Sequence, residues 1–392
     1  MRQEAAVVSG TQLGTQARED WLYTAPKDLL PSTAIADPDE IRRIVATNAL
    51  PDAWQVLVFV GGVFSPELSR TAPESSGIVV EPMAVALDLH PGDLFARLGR
   101  SDAEDGIFLA MDRERWTDGT FVRVGADQKT SGTVQILEVG SGTSWLRHLV
   151  LLGEGASASI VETHVSPEST TIAAHSVTEV RLAPGANLSH VRLRSHGAGG
   201  HHYGALLASL ESRARLESRS FAFGGALARD DYQVSLDAPD AFALLHGLVK
   251  TRGTEKADLS VKLRHASPDC QSDQSFKMLA DDRSQANFHG AVYVDRDAQR
   301  TAARQSNRNL LLSREASVNS RPQLEILADD VKCSHGSATG RLDEKALRFL
   351  RMRGLSESGA RALLVRAFAG EMVLPLPEGD LRDRVDSLLG GE

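Results

Sequence analysis

The chain has 392 residues, 42% hydrophobic and 24% charged, which is enough apolar surface for two or three domains and too much for a disordered polymer. Lys and Arg number 43 against 52 Asp and Glu, leaving a net charge of −9, the wrong sign for gripping phosphate backbones or anionic lipid. Nucleic acid and membrane are therefore not expected as partners.

Two cysteines, Cys270 and Cys333, cannot build a disulfide framework, and neither lies in a CxxC or CxxH pair. That usage fits a reducing cytoplasm. The N-terminal MRQEAAVVSG lacks the basic and apolar regions of a secretory leader, so a cytoplasmic protein is expected.

Residues 1–104 mix helix and irregular signals. Trp21-Leu22-Tyr23 is an aromatic anchor in a polar leader. Asp37 followed by Pro38 supplies an N-cap and a first-turn proline, and Ile41, Ile44 and Val45 give the apolar face of a short helix. The run at 56–60, VLVFV, predicts a buried strand.

Residues 105–338 carry short period-2 runs. In DLSVKLRH, Leu259, Val261 and Leu263 face one way, while Ser260, Lys262 and Arg264 face the other. Similar runs occupy 160–165, 178–182, 190–194, 291–294 and 323–327. Small residues open one series of them, at Ala156, Ala186, Ala214, Ala241, Ala286 and Ala316, with intervals of 30, 28, 27, 45 and 30. A period near 30 with a second strand set half a period away predicts a β-solenoid, each coil burying its inner face on the last. The competing sandwich needs frequent hairpins, yet the two Asp-Gly turns, Asp105-Gly106 and Asp118-Gly119, both precede the repeat.

Residues 339–392 read as helical. Asp343 caps LDEKALRFLRMRG, with Ala346, Leu347 and Leu350 on one face and Gly354 as the stop. A second helix from Ser356 places Ala360, Leu363, Leu364, Ala367 and Phe368 in a stripe, completing an αα-hairpin. Pro375 and Pro377 break it before a last helical segment, LRDRVDSLL.

Absent motifs narrow the chemistry. No GxxxxGK[ST], strand-borne GxGxxG, GxSxG or HExxH occurs, and the Gly-rich stretches at 140–145 and 153–159 read as turns. Cys333 and His335 lie at i and i+2 on one face of an extended segment, about 7 Å apart along the backbone, and both are soft ligands suited to iron, copper or zinc. Two ligands do not close a site. A second subunit would supply the rest most economically; alternatively Cys333 is a small buried hydrophobe and His335 a turn residue. His190, His196, His201 and His202 surround a Gly-rich stretch and read as a solvated turn rather than a metal site. Asp329 and Asp330 point to opposite strand faces and form no catalytic dyad. Cys270 reads as structural.

The stretch 265–368, and within it RPQLEILADDVKCSHG, resembles the SufB/SufD family of iron–sulfur cluster assembly proteins. The resemblance is strong over about a hundred residues, weaker over the preceding coils and poor before Asp105. It departs at Leu327, where a tyrosine is expected, and in SHGSATG, a variation on SHGAT.

The resemblance implies a mainly β protein, a right-handed parallel β-helix flanked by an N-terminal mixed segment and a C-terminal helical one. It implies a scaffold and not an enzyme, pairing with SufB through the β-helix and docking the SufC ATPase on the hairpin from Leu342 to Met372. Arg353, Arg361, Leu364 and Phe368 would form that docking face. His335 would contribute a ligand to iron or a nascent iron–sulfur cluster shared with SufB, with Cys333 as accessory ligand or structural thiol. The chain alone would bind no cluster stably, and it could homodimerise. Two alternatives remain. A SufB-like homomeric scaffold conflicts with a cysteine count of two, and a β-helix carbohydrate-active enzyme needs an aromatic groove that 20 Phe, Trp and Tyr scarcely supply.

Overall fold

A computed structural model describes residues 32–72, 77–99, 106–168 and 170–390. The aromatic cluster at 21–23 lies outside the described residues. About half of the chain is strand, wound as a parallel β-solenoid of about eight turns with helices at both ends.

The chain enters through α1 (Pro38–Asn48), where the Asp37 side chain accepts from the backbone N–H groups of Asp39 and Glu40. Ile41 and Val45 are buried against β1 (Gln55–Val60), as the spacing predicts. Next come β2 (Val63–Phe64), β3 (Ile78–Pro82), α2 (Met83–Leu89), α3 (Pro91–Arg97) and α4 (Ile107–Arg115). Because β1 pairs in parallel with a strand starting at Lys129, the N-terminal stretch already contributes a rung to the solenoid.

The winding proper runs through β4 (Thr120–Val124), β5 (Lys129–Val139), β6 (Thr143–Leu152), β7 (Ser157–Val165), β8 (Ile172–Leu182) and β9 (Asn187–His196). It continues through β10 (Gly200–Leu210), β11 (Arg215–Gly224), β12 (Leu227–Leu236), β13 (Phe242–Thr251) and β14 (Lys256–His265). The last coils are β15 (Gln271–Ala280), β16 (Gln285–Val294), β17 (Thr301–Leu311), β18 (Ser317–Ile326) and β19 (Val331–Arg341). Odd strands from β5 to β19 stack in one sheet beyond β1, and even strands from β4 to β18 stack in the other. Each strand pairs in parallel with the one two places on, as Ser157 with Asn187, Asn187 with Arg215 and Arg215 with Phe242.

The corners explain why hairpin signals are scarce. Gly155, Gly185, Arg213, Asp240, Asp269 and Arg300 stand at equivalent rungs, all with φ between 58° and 69°. Each tips the backbone inward one residue before a small buried side chain, and the alanine ladder there runs Ala156, Ala186, Ala214, Ala241 and then Cys270. The sequence series therefore changes sheets after Ala241. Ala286 stacks between Ala257 and Val318 in the other sheet, and Ala316 precedes β18. Cys270 is fully buried, as a structural thiol should be.

The C-terminal helices are α5 (Glu344–Met352), capped by Asp343, α6 (Glu357–Val373), capped by Ser356, and α7 (Asp380–Gly390). Phe221, Phe223, Leu248 and Leu279, on the outer face of the odd-strand sheet, pack against Val365, Ala369, Met372, Val385 and Leu389. At about 1.5–3 kcal/mol for each fully buried large aliphatic or aromatic side chain, this contact holds the helices to the solenoid. The face that α6 buries differs from the expected stripe: Ala360 is buried, but Leu363 is 46% exposed while Val365, Met372 and Val373 are inside. The sheet's outer residues choose the face, and the helix alone does not reveal it.

Two lysines fasten the same contact. Lys277 Nζ donates to the Phe368 carbonyl at 2.7 Å and pairs with Glu371 at 2.7 Å, while Lys250 Nζ donates to the Leu389 carbonyl at 2.8 Å. No helix among the described residues is long and apolar enough to cross a membrane.

Candidate site at the last coil

β19 pairs on one side with β17, and among the described residues no strand pairs with its other edge. The register stacks Cys333 on Ala303, His335 on Gln305, Ser337 on Asn307 and Thr339 on Asn309. Ala303, Gln305, Asn307 and Asn309 are all buried. Cys333 and His335 thus share the column that faces the lumen, as their i, i+2 spacing requires.

Their surroundings differ. Cys333 is half-buried against Val292, Val294, Ala298, Ala303 and Ala328, and that burial pushes its thiol pKa up, with a weaker opposing pull from the Ala303 backbone. A thiolate ligand is disfavoured there until something changes the setting. His335 is exposed and open to an incoming group.

Beneath them lies an amide platform. Gln305 Nε2 donates to Gln274 Oε1 at 3.0 Å, and Asn309 Nδ2 donates to Asn307 Oδ1 at 2.7 Å and to Thr339 Oγ1 at 3.2 Å. The Ser337 hydroxyl donates to that of Ser320 at 2.8 Å across the last coil. Gly290 makes room, since a Cβ there would stand 2.6 Å from Gln305 Nε2 and 2.5 Å from the Phe288 ring. Buried amides therefore line the lumen beside the last coil. The sequence carries this signal in Gln274, Gln305 and His335, separated by one coil each, although periodicity alone did not identify it.

Ile326 and Leu327, 37% and 58% exposed, add apolar surface at the same rim. Asp329 and Asp330 are exposed; Asp330 is a turn residue, its carbonyl accepting from Arg300 N–H at 2.6 Å. Among the described residues no three His, Cys, Asp or Glu side chains are placed to hold a metal ion.

The other histidine group is not a solvated turn. His190, His196 and His202 are buried within the lumen of the early coils, joined to a network that the sequence reading missed. Glu162 accepts from Thr178 at 2.6 Å and Arg192 Nε at 2.9 Å, and pairs with His190 at 3.1 Å and His164 at 3.4 Å. Glu138 pairs with His148 at 2.9 Å and His164 at 3.2 Å. Burial opposes charge on His164, but Glu138 and Glu162 outweigh it and raise its pKa to about 9. Burial likewise opposes charge on Glu162, yet Arg192 and His190 hold it well below the usual carboxylate range. His196 and His202 are pushed the other way by burial and by neighbouring cations, so both are neutral. The network stores paired charge inside a β-solenoid and offers no open face.

On the helical hairpin, the expected docking residues divide. Arg361 donates to the Leu312 carbonyl at 2.6 Å and ties α6 to the solenoid. Leu364 is half-buried, and half-buried Phe368 lies with its ring 4.8 Å from Lys277 Nζ. Arg353 is exposed and lies 4.9 Å from the Phe349 ring. Exposed apolar surface falls instead on Phe349, Met352, Leu355 and Leu363.

Residues 136–368 match the SufBD core domain of the SUF system for FeS cluster assembly. The chain belongs to the SufBD family. It is 30% identical to the iron-sulfur cluster assembly protein SufD of Escherichia coli over 385 residues, which is 97% of this chain and 89% of that one. A SufBD family protein of Synechocystis is 29% identical over 98% of this chain and 88% of its own length. Protein ABCI7 of Arabidopsis thaliana, chloroplastic, is 33% identical over 62% of this chain and 52% of its own. The first two likenesses extend into the N-terminal hundred residues, where the motifs say little.

Proposed function

We propose that this SufBD-family chain is a non-catalytic scaffold subunit of a cytoplasmic Suf assembly complex, pairing with SufB at its last coil and docking the SufC ATPase on its helical hairpin. The observation that carries the reading is an incomplete ligand set on the last strand of its sheet among the described residues: His335 is exposed and Cys333 is half-buried beside it. A half-site of this kind makes chemical sense when a partner strand adds ligands across the edge. Iron or a nascent cluster is the cargo, held transiently between the two chains.

The hairpin reading rests on Phe349, Met352, Leu355 and Leu363, an apolar patch on a surface otherwise rich in charge, with Arg353 at its border. ATP hydrolysis is assigned to SufC, in keeping with the missing phosphate-binding loop.

Anaerobic reconstitution with iron and sulfide tests the whole. The chain alone should retain no stable cluster, and the same chain mixed with SufB should retain one. A stable cluster on the isolated monomer, or hydrolysis of an oligosaccharide by it, would overturn the proposal.

A further inference from the structure

The column that carries Cys333 and His335 also holds a residue whose hydrogen bonding is unfinished. Gln274, Gln305 and His335 are register partners on β15, β17 and β19, one rung apart, so their side chains leave the sheet on the same face. Gln305 is 2% exposed, and its Nε2 donates to Gln274 Oε1 on the preceding rung at 3.0 Å. Its Oε1 is buried and accepts from no donor. An enclosed amide oxygen without a donor is costly, and solvent does not reach this one.

The column limits what can complete it. A Cβ at Gly290 would stand 2.6 Å from Gln305 Nε2 and 2.5 Å from the Phe288 ring, so the glycine clears the space that the amide fills. On one side of Gln305 the bond to Gln274 is already made. On the other side stands His335, whose exposure gives its ring room to turn. Neighbouring strands lie about 4.8 Å apart, within reach of an imidazole N–H toward an amide oxygen on the adjacent rung. Of the two ring nitrogens, Nδ1 lies nearer the backbone and therefore nearer that neighbour.

We infer that Gln305 is a positioning residue for His335: its Oε1 accepts from His335 Nδ1–H, which fixes the tautomer and leaves the Nε2 lone pair for the cargo. The consequence rests on the reading of His335 as an iron ligand. A coordinating imidazole binds through the nitrogen without a proton, and an oxygen acceptor on its other N–H sets both tautomer and ring orientation. Gln305 itself does not touch the cargo.

The test reads the tautomer with no metal present. The full chain, labelled with 15N-histidine, is studied in alkaline buffer by long-range 1H–15N correlation, and His335→Gln identifies the signal. Neutral His335 should be in the Nδ1–H form, whereas a free imidazole side chain favours Nε2–H. Gln305→Met keeps the length of the side chain and removes the acceptor, so in it the His335 signals should move to the Nε2–H pattern. Gln305→Glu returns an acceptor and should restore Nδ1–H. Circular dichroism and methyl spectra verify the fold of each variant, and the tautomer of the unaltered chain decides even where a variant does not fold. In the SufB pair, Gln305→Met should lose about tenfold in retained iron, the usual cost of removing such a partner, with Gln305→Glu milder.

The inference is overturned if His335 in the unaltered chain is in the Nε2–H form, as it would be with both amides flipped and Gln305 presenting its N–H, or if a folded Gln305→Met variant leaves the tautomer unchanged. Failure of the ligand reading looks different: the tautomer responds as expected, which upholds the positioning role, while His335→Ala leaves retained iron the same.

Discussion

Glu162 is the best place to test the buried network, because a conservative change there isolates charge from shape. The carboxylate is fully buried and engages Arg192 at 2.8 Å, Thr178 at 2.6 Å and His190 at 3.1 Å. Glu162→Gln preserves volume and turns Arg192 into a buried cation without its counter-ion. Breaking a buried pair from one side costs about 3–5 kcal/mol, most of it the penalty on the charge left behind. Replacing both partners, as Glu162→Leu with Arg192→Leu, removes that penalty and should recover a large part of the loss. Urea unfolding supplies the midpoint shift, and amide exchange over β7 and β9 localises it, since solenoid stability sums neighbouring coils. The reasoning fails if Glu162→Gln changes stability by less than about 0.5 kcal/mol, the range of an ordinary surface change.

Other expectations follow from the same contacts. His164 has a pKa raised to about 9 from 6.5, so its pairing with Glu138 and Glu162 is fully in place below pH 6.5 and is lost as pH rises through 9; unfolding midpoints measured across that window should fall, and less so in His164→Gln. His265, buried with a pKa lowered to about 4, acts oppositely, its contribution fading as pH drops from 6.5 toward 4. Cys270→Ala should cost about 1 kcal/mol or less, because alanine fills the preceding rungs, whereas Cys270→Phe should prevent a native melt. Arg361→Met removes the bond to the Leu312 carbonyl and should destabilise the docking of α6 by about 1–3 kcal/mol, seen as faster amide exchange in α6 with the coils unchanged.

The solenoid was legible because its physics repeats. Coil length, alternation and the small corner residues all recur near 30 residues, and each copy strengthens the others. The α1 cap and the α5 stop were readable for the same local reasons, Asp37 before Pro38 and Gly354 at φ 94°.

What escaped was non-local. His190 and His202 look like loop residues in a Gly-rich stretch, and nothing near them in the chain shows that Glu162 and Asp230 arrive from other rungs. The buried face of α6 escaped for a related reason: Leu363 and Val365 are both apolar, and the sheet beneath decides which goes inside. Cys333 and His335 stood out by residue type, and their inward column required the register with β17. The separation of Arg361 from the exposed hairpin surface required the atom-level contact with Leu312.

The central claim is that His335 completes a metal set only together with a partner chain. The direct measurement is anaerobic iron and sulfide loading of the SufB pair, with this chain either unaltered or carrying His335→Ala, reading bound iron and visible absorbance beside a check that the pair still forms. The account predicts an intact pair that loses at least tenfold in retained iron, with Cys333→Ala much milder. Equal iron in the His335→Ala pair would contradict it.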